Sequence, residues 1–571
     1  DAILPLIISL DEECRKYAAL AIANLSTSTA AHPQLLEEDV LRHLVPILNS
    51  EEVQEVVTYV LNALGNFACS PMMWPTLQRM NAIEGVASFL VHETDREDTL
   101  LNVLFALANL TADPVQRQWM MSKKTYELVW KQMQHPNYHI MQYSLTVLRG
   151  LCVERSAQEL FPKMGLVPLL IGIFQSQSPQ ALRTLVLEIL LHFSFLRSNA
   201  DMMLQRNVMQ SIESAARGET NVEYVPMGVA IIANLCENID LHVTIVESPL
   251  FEVLTSLIQN DSTPIQQEVI RALMLLSLSP KYHHVILATG VMANVCPIAM
   301  TERLPVEMRT NALQMMGAVC ATHPTTPTES DIMDLLYLCC KTTEDLEVRR
   351  SCMMVIANAS ADVANSSNLL RKPFIESLVI TLSKSMDSVL VDYMMQFFHN
   401  LCKLDNKAGG LMIRCGYQNH MFTYERLESL SLTSAIYLCD TCRQLAEDAT
   451  VRANLMQEMM VKTLIDAWVV YIEDPKLAPH LALMASALTY HSDTHQEFVL
   501  QGGVKLILDI YTRSKVEHVR LCCILSMLYL AESGHAQRSI AQERGMQLLL
   551  AACENESHVD LVTNSLKTLI P

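Results

Sequence analysis

Glycine is scarce in this chain, 16 residues of 571, and aromatics make up only 6%, with four tryptophans. So little glycine argues against a sheet-rich fold with many tight turns and against long flexible linkers. Long apolar runs are missing too. Half of the residues are hydrophobic, yet the long uncharged stretch Met164 to Leu182 carries Pro, Gln and Ser, and no run reaches the roughly 20 apolar residues that span a bilayer. Positive charge is in deficit: 41 Lys and Arg against 61 Asp and Glu give a net charge of -20, which repels phosphates and disfavours nucleic acid as a partner. Catalytic signatures are absent as well. There is no Gly-rich phosphate loop, no HExxH, no GxSxG and no carboxylate pair in a glycine-punctuated strand-to-loop context, so no enzyme activity and no cofactor is expected. The 18 histidines are dispersed; His283, beside His284, and His192 read as hydrogen-bonded or surface groups.

Cysteine is present, 16 residues, but without a pairing pattern. Cys152, Cys236, Cys320 and Cys402 recur at helix-core spacing and read as small apolar fillers. The one CxxC, Cys439 and Cys442, has no second Cys or His pair at metal-ligand spacing, so no metal site is expected. The adjacent pairs Cys339-Cys340 and Cys522-Cys523 point to different faces of a helix. A reduced, cytoplasmic setting fits this usage.

What the chain does have is a repeat. A small-apolar-x-Asn-Leu motif reads AIANLS around Asn24, ALGNFA around Asn66, ALANLT around Asn109, IIANLC around Asn234, VIANAS around Asn358 and FFHNLC around Asn400. Degenerate copies keep the phase at Gly150, His192, Ser277, Ala318, Gln444, Ala487, Tyr529 and Thr568, which gives fourteen positions 39 to 44 residues apart. A period of this size marks a helical solenoid.

Each unit follows one grammar. A short first helix ends in a residue that tolerates the left-handed conformation, as at Asp39, Asn81, Gly165, Asn207, Gly290, Gly416, Gly503 and Gly545. An apolar second helix follows. The third opens either on acidic residues (Glu12-Glu13, Glu51-Glu52, Glu97-Asp98, Glu344-Asp345) or on proline (Pro136, Pro179, Pro264, Pro305), both of which suit a helix N-terminus. It then runs about four turns through the Asn motif. The sequons at Asn24, Asn109 and Asn358 fall inside these helices, where glycosylation is not expected.

Three helices per unit, with Asn near the end of the third, resembles the armadillo-repeat family over the whole chain, closest in pattern to vacuolar armadillo proteins, plakophilins and ciliary armadillo-containing proteins. The separate short first helix separates it from two-helix HEAT repeats. The resemblance implies an all-α, right-handed superhelical solenoid of about 14 repeats, with residues 1–571 as a single continuous array. The chain is expected to be an excerpt, because it starts without the first short helix of its opening repeat and stops just after a third helix; Ile3, Leu6, Ile7 and Leu10 at one end and Leu561, Leu566 and Leu569 at the other leave repeat faces without a polar cap, which end-to-end contacts with flanking sequence or partners would cover.

Function is then expected to be binding. In the armadillo family, third helices line the concave groove and asparagines at this position hold the backbone of extended ligands. The matching residues here are Asn24, Asn66, Asn109, Asn234, Asn358 and Asn400. An Asn side chain offers a donor and an acceptor to a peptide backbone; the same amide could instead bond a neighbouring helix end. The trio Asn24, Asn66 and Asn109 forms the longest stretch, and the ladder breaks at Gly150 and His192. Importin-α-like chains carry Trp four positions before each Asn, whereas Leu20, Asn62, Phe105, Ala230, Met354 and Gln396 stand there in this chain. β-Catenin-like grooves are basic, whereas residues 1–100 hold fifteen Asp and Glu against five Lys and Arg. The expected role is a non-enzymatic scaffold or adaptor for other proteins in a large cytoplasmic or cytoskeletal assembly, the cilium included. The alternatives are a soluble transport receptor for peptide signals and the regulatory region of a larger enzyme.

Overall fold

A computed structural model describes residues 3–91, 96–324, 330–457, 460–468, 474–543 and 545–547. Every regular element among the described residues is helical. The chain divides into two compact units, Asp1–Ala272 and Leu273–Pro571.

In the first unit the third helices are Glu12–Ser26, Gln54–Ala68, Glu97–Leu110, Tyr138–Leu151, Gln180–Ser194 and Val225–Cys236. Each packs on the next and together they form one layer; the second helices, among them Ala82–Val91, Leu166–Gln175, Arg206–Arg217 and Pro249–Leu257, form the other. Thr263–Ser277 is the next third helix, and the second unit continues with Val306–Thr322, Leu346–Ala359, Ser388–Leu404, Leu432–Leu445, Ala478–Thr489 and Glu517–Ala531. The repeat position Thr568 lies outside the described residues, as do Leu561, Leu566 and Leu569. At the other end Ile7 is buried while Leu6 and Leu10 are exposed.

Helix starts follow the acidic pattern, with the chemistry often one residue away from the expected pair. Asp11 caps the first third helix by accepting from Cys14 N at 2.9 Å, and Asp345 caps another through Val348 N at 3.0 Å. Glu51 accepts from Val53 N at 2.9 Å and also pairs with Arg15 of the preceding repeat at 2.7 Å. The side-chain hydrogen bond within that ion pair holds the Glu51 carboxyl below the usual range.

The left-handed joints are found at Asp39, Asn81, Gly165, Gly290 and Gly416, with φ between 51° and 91°. Lys124 also adopts this conformation at φ 56°, against the preference of a side chain bearing Cβ. Three of the expected joints differ. Gly502 takes the role expected of Gly503, and Gly545 has no positive φ. Asn207 is already inside Arg206–Arg217, which starts from an extended Gln205. The following repeat also uses an extended start, with Ser248 accepting from Leu250 N and Pro249 in the first turn, so neither joint needs a left-handed residue.

The core is layered along each unit. Leu61, Leu104 and Leu148, at like positions of successive third helices, are fully buried. The fifteen described cysteines are free thiols, and Cys439 and Cys442 are buried inside one helix.

Candidate functional site

Five of the six motif asparagines bridge to the preceding third helix, and they do so in two ways. In the first, the amide donates to a serine hydroxyl forty residues earlier: Asn66 Nδ2 to Ser26 Oγ at 3.0 Å, Asn234 Nδ2 to Ser194 Oγ at 2.9 Å and Asn400 Nδ2 to Ser360 Oγ at 3.1 Å. In the second, it reaches a glycine carbonyl: Asn109 Nδ2 to Gly65 O at 3.0 Å and Asn358 Nδ2 to Gly317 O at 2.9 Å. The side chain four residues before the Asn lies where a Cβ would be, the Phe105 ring at 2.6 Å in one case and the flexible end of Met354 at 2.3 Å in the other, so a larger residue there would have to displace it. A carbonyl can only accept, so these contacts fix the amide with its NH2 turned into the stack. These five asparagines are therefore inter-repeat clamps, each with at least one N–H committed before any ligand arrives.

The acceptor halves differ. Asn234 Oδ1 takes Arg271 Nη2 at 2.7 Å and Asn358 Oδ1 takes Gln396 Nε2 at 3.0 Å. Among the described residues Asn66, Asn109 and Asn400 keep an Oδ1 without a donor, and all three are half-buried. Asn24 is exposed. The ladder breaks at Gly150 for a steric reason: a Cβ there would meet Thr111 Oγ1 at 2.1 Å. At His192, burial and the nearby Arg149 lower the imidazole pKa and favour the neutral ring.

Within each unit a second set of residues shares this face. Seven residues, two helical turns, before the anchors stand Tyr17, Tyr59, Tyr143, Tyr393 and Tyr437. Tyr17 is exposed and the other four are half-buried. Phe105 meets Tyr143 edge-on at 5.5 Å between centroids. Alongside, Asn66 Nδ2 donates to Asn62 Oδ1 at 3.2 Å and Asn62 Nδ2 to Asn102 Oδ1 at 2.9 Å, so amides bridge three helices in a row. Next to Tyr143, where the ladder breaks, an open depression of about 520 Å³ is lined by Gln142, Thr146, Gln180, Ala181, Thr184 and Leu185. The tryptophan positions carry no aromatic array, but the tyrosines two turns back do present one, and the near-constant phase of the anchors is the signal that could have found them.

A structural position also escapes the sequence reading. Six residues past the end carbonyl of a third helix, a side chain of the following first helix donates back to it: His32 to Ser26 O, Trp74 to Ala68 O, Arg117 to Thr111 O, Gln158 to Cys152 O, Asn199 to Phe193 O and His242 to Cys236 O, at 2.7 to 3.1 Å. In the second unit His283, Asn365, Arg452, His495 and Gln537 do the same. The histidines are thus helix-end caps. They satisfy carbonyls that have no partner within their own helix.

Among the described residues no group of three or more His, Cys, Asp or Glu is placed to hold a metal, and no single helix is long and apolar enough to cross a membrane. Residues 36–258 match the armadillo-like family model. The fold is that of an armadillo-repeat protein. No curated protein matches the sequence. Solved armadillo structures resemble the chain at low identity. One is an engineered protein, at 18% identity and TM-score 0.60 over 70% of this chain and 98% of that one. Another was solved in work on a phosphorylation switch controlling the interaction between cadherin and β-catenin, at 12% identity and TM-score 0.61 over 85% of this chain and 100% of that one. An armadillo solenoid is in general a protein-binding scaffold.

Proposed function

We propose that this armadillo chain is a non-enzymatic scaffold that holds an extended segment of a partner protein across the third helices of its N-terminal repeats, at Asn24, Asn66 and Asn109. The observation that carries this reading is the coincidence, on one face, of open amide oxygens at Asn66 and Asn109 with the tyrosines Tyr17, Tyr59 and Tyr143. Amide oxygens accept the N–H groups of a peptide backbone, and tyrosine adds apolar area with a polar tip at low entropic cost. Helix spacing of about 8 to 10 Å matches two to three residues of an extended strand. The excess of fifteen acidic over five basic residues in 1–100, a net charge of -10, favours a Lys- or Arg-rich segment. The unbroken repeat phase supports one array over residues 1–571, and the free thiols suit a cytoplasmic or cytoskeletal assembly, cilium included. The test is photo-crosslinking in cell extract from a reporter at position 59, compared with one at Glu252 on an exposed second-helix surface. Partner peptides crosslinked from position 59 and not from 252 support the reading; the reverse pattern moves the binding surface to the second helices.

A further inference from the structure

We propose that a cavity beside Gly409, in the second unit, receives an arginine side chain from a partner protein. It is the place where other repeats of this chain insert an arginine of their own.

Four residues after the residue that caps the first helix, the repeats beginning at Asp113 and Asp448 carry Arg117 and Arg452. Arg117 donates through Nη1 to Thr111 O at 2.8 Å and Ala112 O at 3.1 Å, and through Nε to Glu154 of the next repeat at 2.8 Å. Arg452 repeats the arrangement with Ala446 O, Glu447 O at 3.5 Å and Asp493 of the next repeat at 2.9 Å. One guanidinium thus ties a helix end to the following unit.

In the repeat just before Asp448 the cap is Asp405, which accepts from Lys407 N at 2.8 Å, and four residues on stands Gly409. The donor is missing. In its place lies a cavity of about 310 Å³ lined by Cys402, Asp405, Gly409, Gln444, Glu447 and Asp448, with Leu445 and Val451 completing the wall. The carboxylate of the arginine arrangement remains in the wall. The peptide oxygens of Lys403 and Leu404 stand in sequence where those of Thr111 and Ala112 do, and Asp448, the cap of the next first helix, corresponds to Glu154. Asp448 Oδ1 already takes Val451 N and the Thr450 hydroxyl, while its Oδ2 has no partner among the described residues. Hydrogen bonds from Thr450 hold this carboxyl below its usual range, so it is charged at neutral pH.

The chemistry of the lining selects the occupant. Three carboxylates border the cavity, yet they do not converge on a metal-binding point. Carboxylates dispersed around the wall suit the planar five-donor fork of a guanidinium better than a compact ammonium. The site is independent of the asparagine ladder of the first unit.

The probes are N-acetyl-arginine amide and its neutral isostere N-acetyl-citrulline amide, titrated against the full chain by saturation-transfer NMR. Saturable binding at least about ten-fold tighter for arginine is expected, the size of one charge-assisted contact. Gly409→Arg supplies the missing side chain and should abolish it, with a higher melting temperature as the inter-repeat tie forms. Leu445 must yield in that variant, since a Cβ at 409 lies 2.7 Å from its Cδ2. Glu447→Lys at the exposed rim is the second variant and should weaken arginine binding while leaving the fold intact. Equal binding of citrulline, undiminished arginine binding in a folded Gly409→Arg chain, or unchanged affinity in Glu447→Lys would each overturn the assignment.

Discussion

At the residue scale, each clamping asparagine spends an N–H on the preceding repeat, so alanine substitution perturbs the fold as well as the surface. Asn109→Ala removes the donor to Gly65 O and should cost about 1 to 3 kcal/mol in urea unfolding, whereas Asn24→Ala, at an exposed site, should stay within about 0.5 kcal/mol. Equal losses would show that the clamp at 109 is not stabilising. The ladder itself is visible in the sequence as a period. Which half of each amide is free is not, because that depends on Ser26, Gly65 and Gly317, residues of the neighbouring unit. A second residue-scale expectation concerns Arg309, which is buried with no carboxylate partner among the described residues and lies 3.4 Å from Cys339 Sγ through Nη2. A hydrogen bond from Cys352 and the guanidinium together hold the Cys339 thiol below its usual range. Ultraviolet thiolate absorbance should therefore show one group ionising before the other buried thiols as pH rises, and Arg309→Met should move it upward. Absence of that step in the wild-type chain would contradict the pairing.

At the scale of the helix, the third helices are legible in the sequence because start signals and anchor motif agree over four turns. The short first helices are legible as elements but not in their chemistry. His32, Trp74, Arg117, Gln158 and Asn199 occupy one structural position and share only an N–H donor, a property that a letter-by-letter comparison does not register. The joints at Gln205 and Ser248 escape a pattern built on left-handed residues, because an extended cap can replace a left-handed one. If the donor is what matters, His242→Gln should be tolerated, as Gln158 serves the same role, while His242→Leu should lose about 1 to 3 kcal/mol by leaving the Cys236 carbonyl buried without this donor. Thermal or urea unfolding of the two variants decides this; equal destabilisation would assign His242 to packing alone.

At the scale of the molecule, a stack of repeats distributes its stability along the chain, since each repeat is held mainly by its neighbours. Leu104 is fully buried between adjacent third helices, and Leu104→Ala should cost roughly 2 to 5 kcal/mol through the cavity it leaves. Hydrogen exchange should then rise in the repeats around residues 54–151 and remain unchanged towards residue 272. Uniform loosening of the whole unit would instead indicate one globular core.

The most direct test of the binding account is the affinity of an extended Lys- and Arg-rich peptide array for the chain, read by fluorescence anisotropy for the wild type, Tyr17→Ala with Asn24→Ala, and an outward control, Glu252→Ala. Both substituted ladder positions are exposed, so the fold is spared. The account predicts that the tightest peptides lose about ten-fold or more in the ladder variant and keep their affinity in the control, with a part of the binding that fades as salt is added. Unchanged affinity in a folded ladder variant would contradict it.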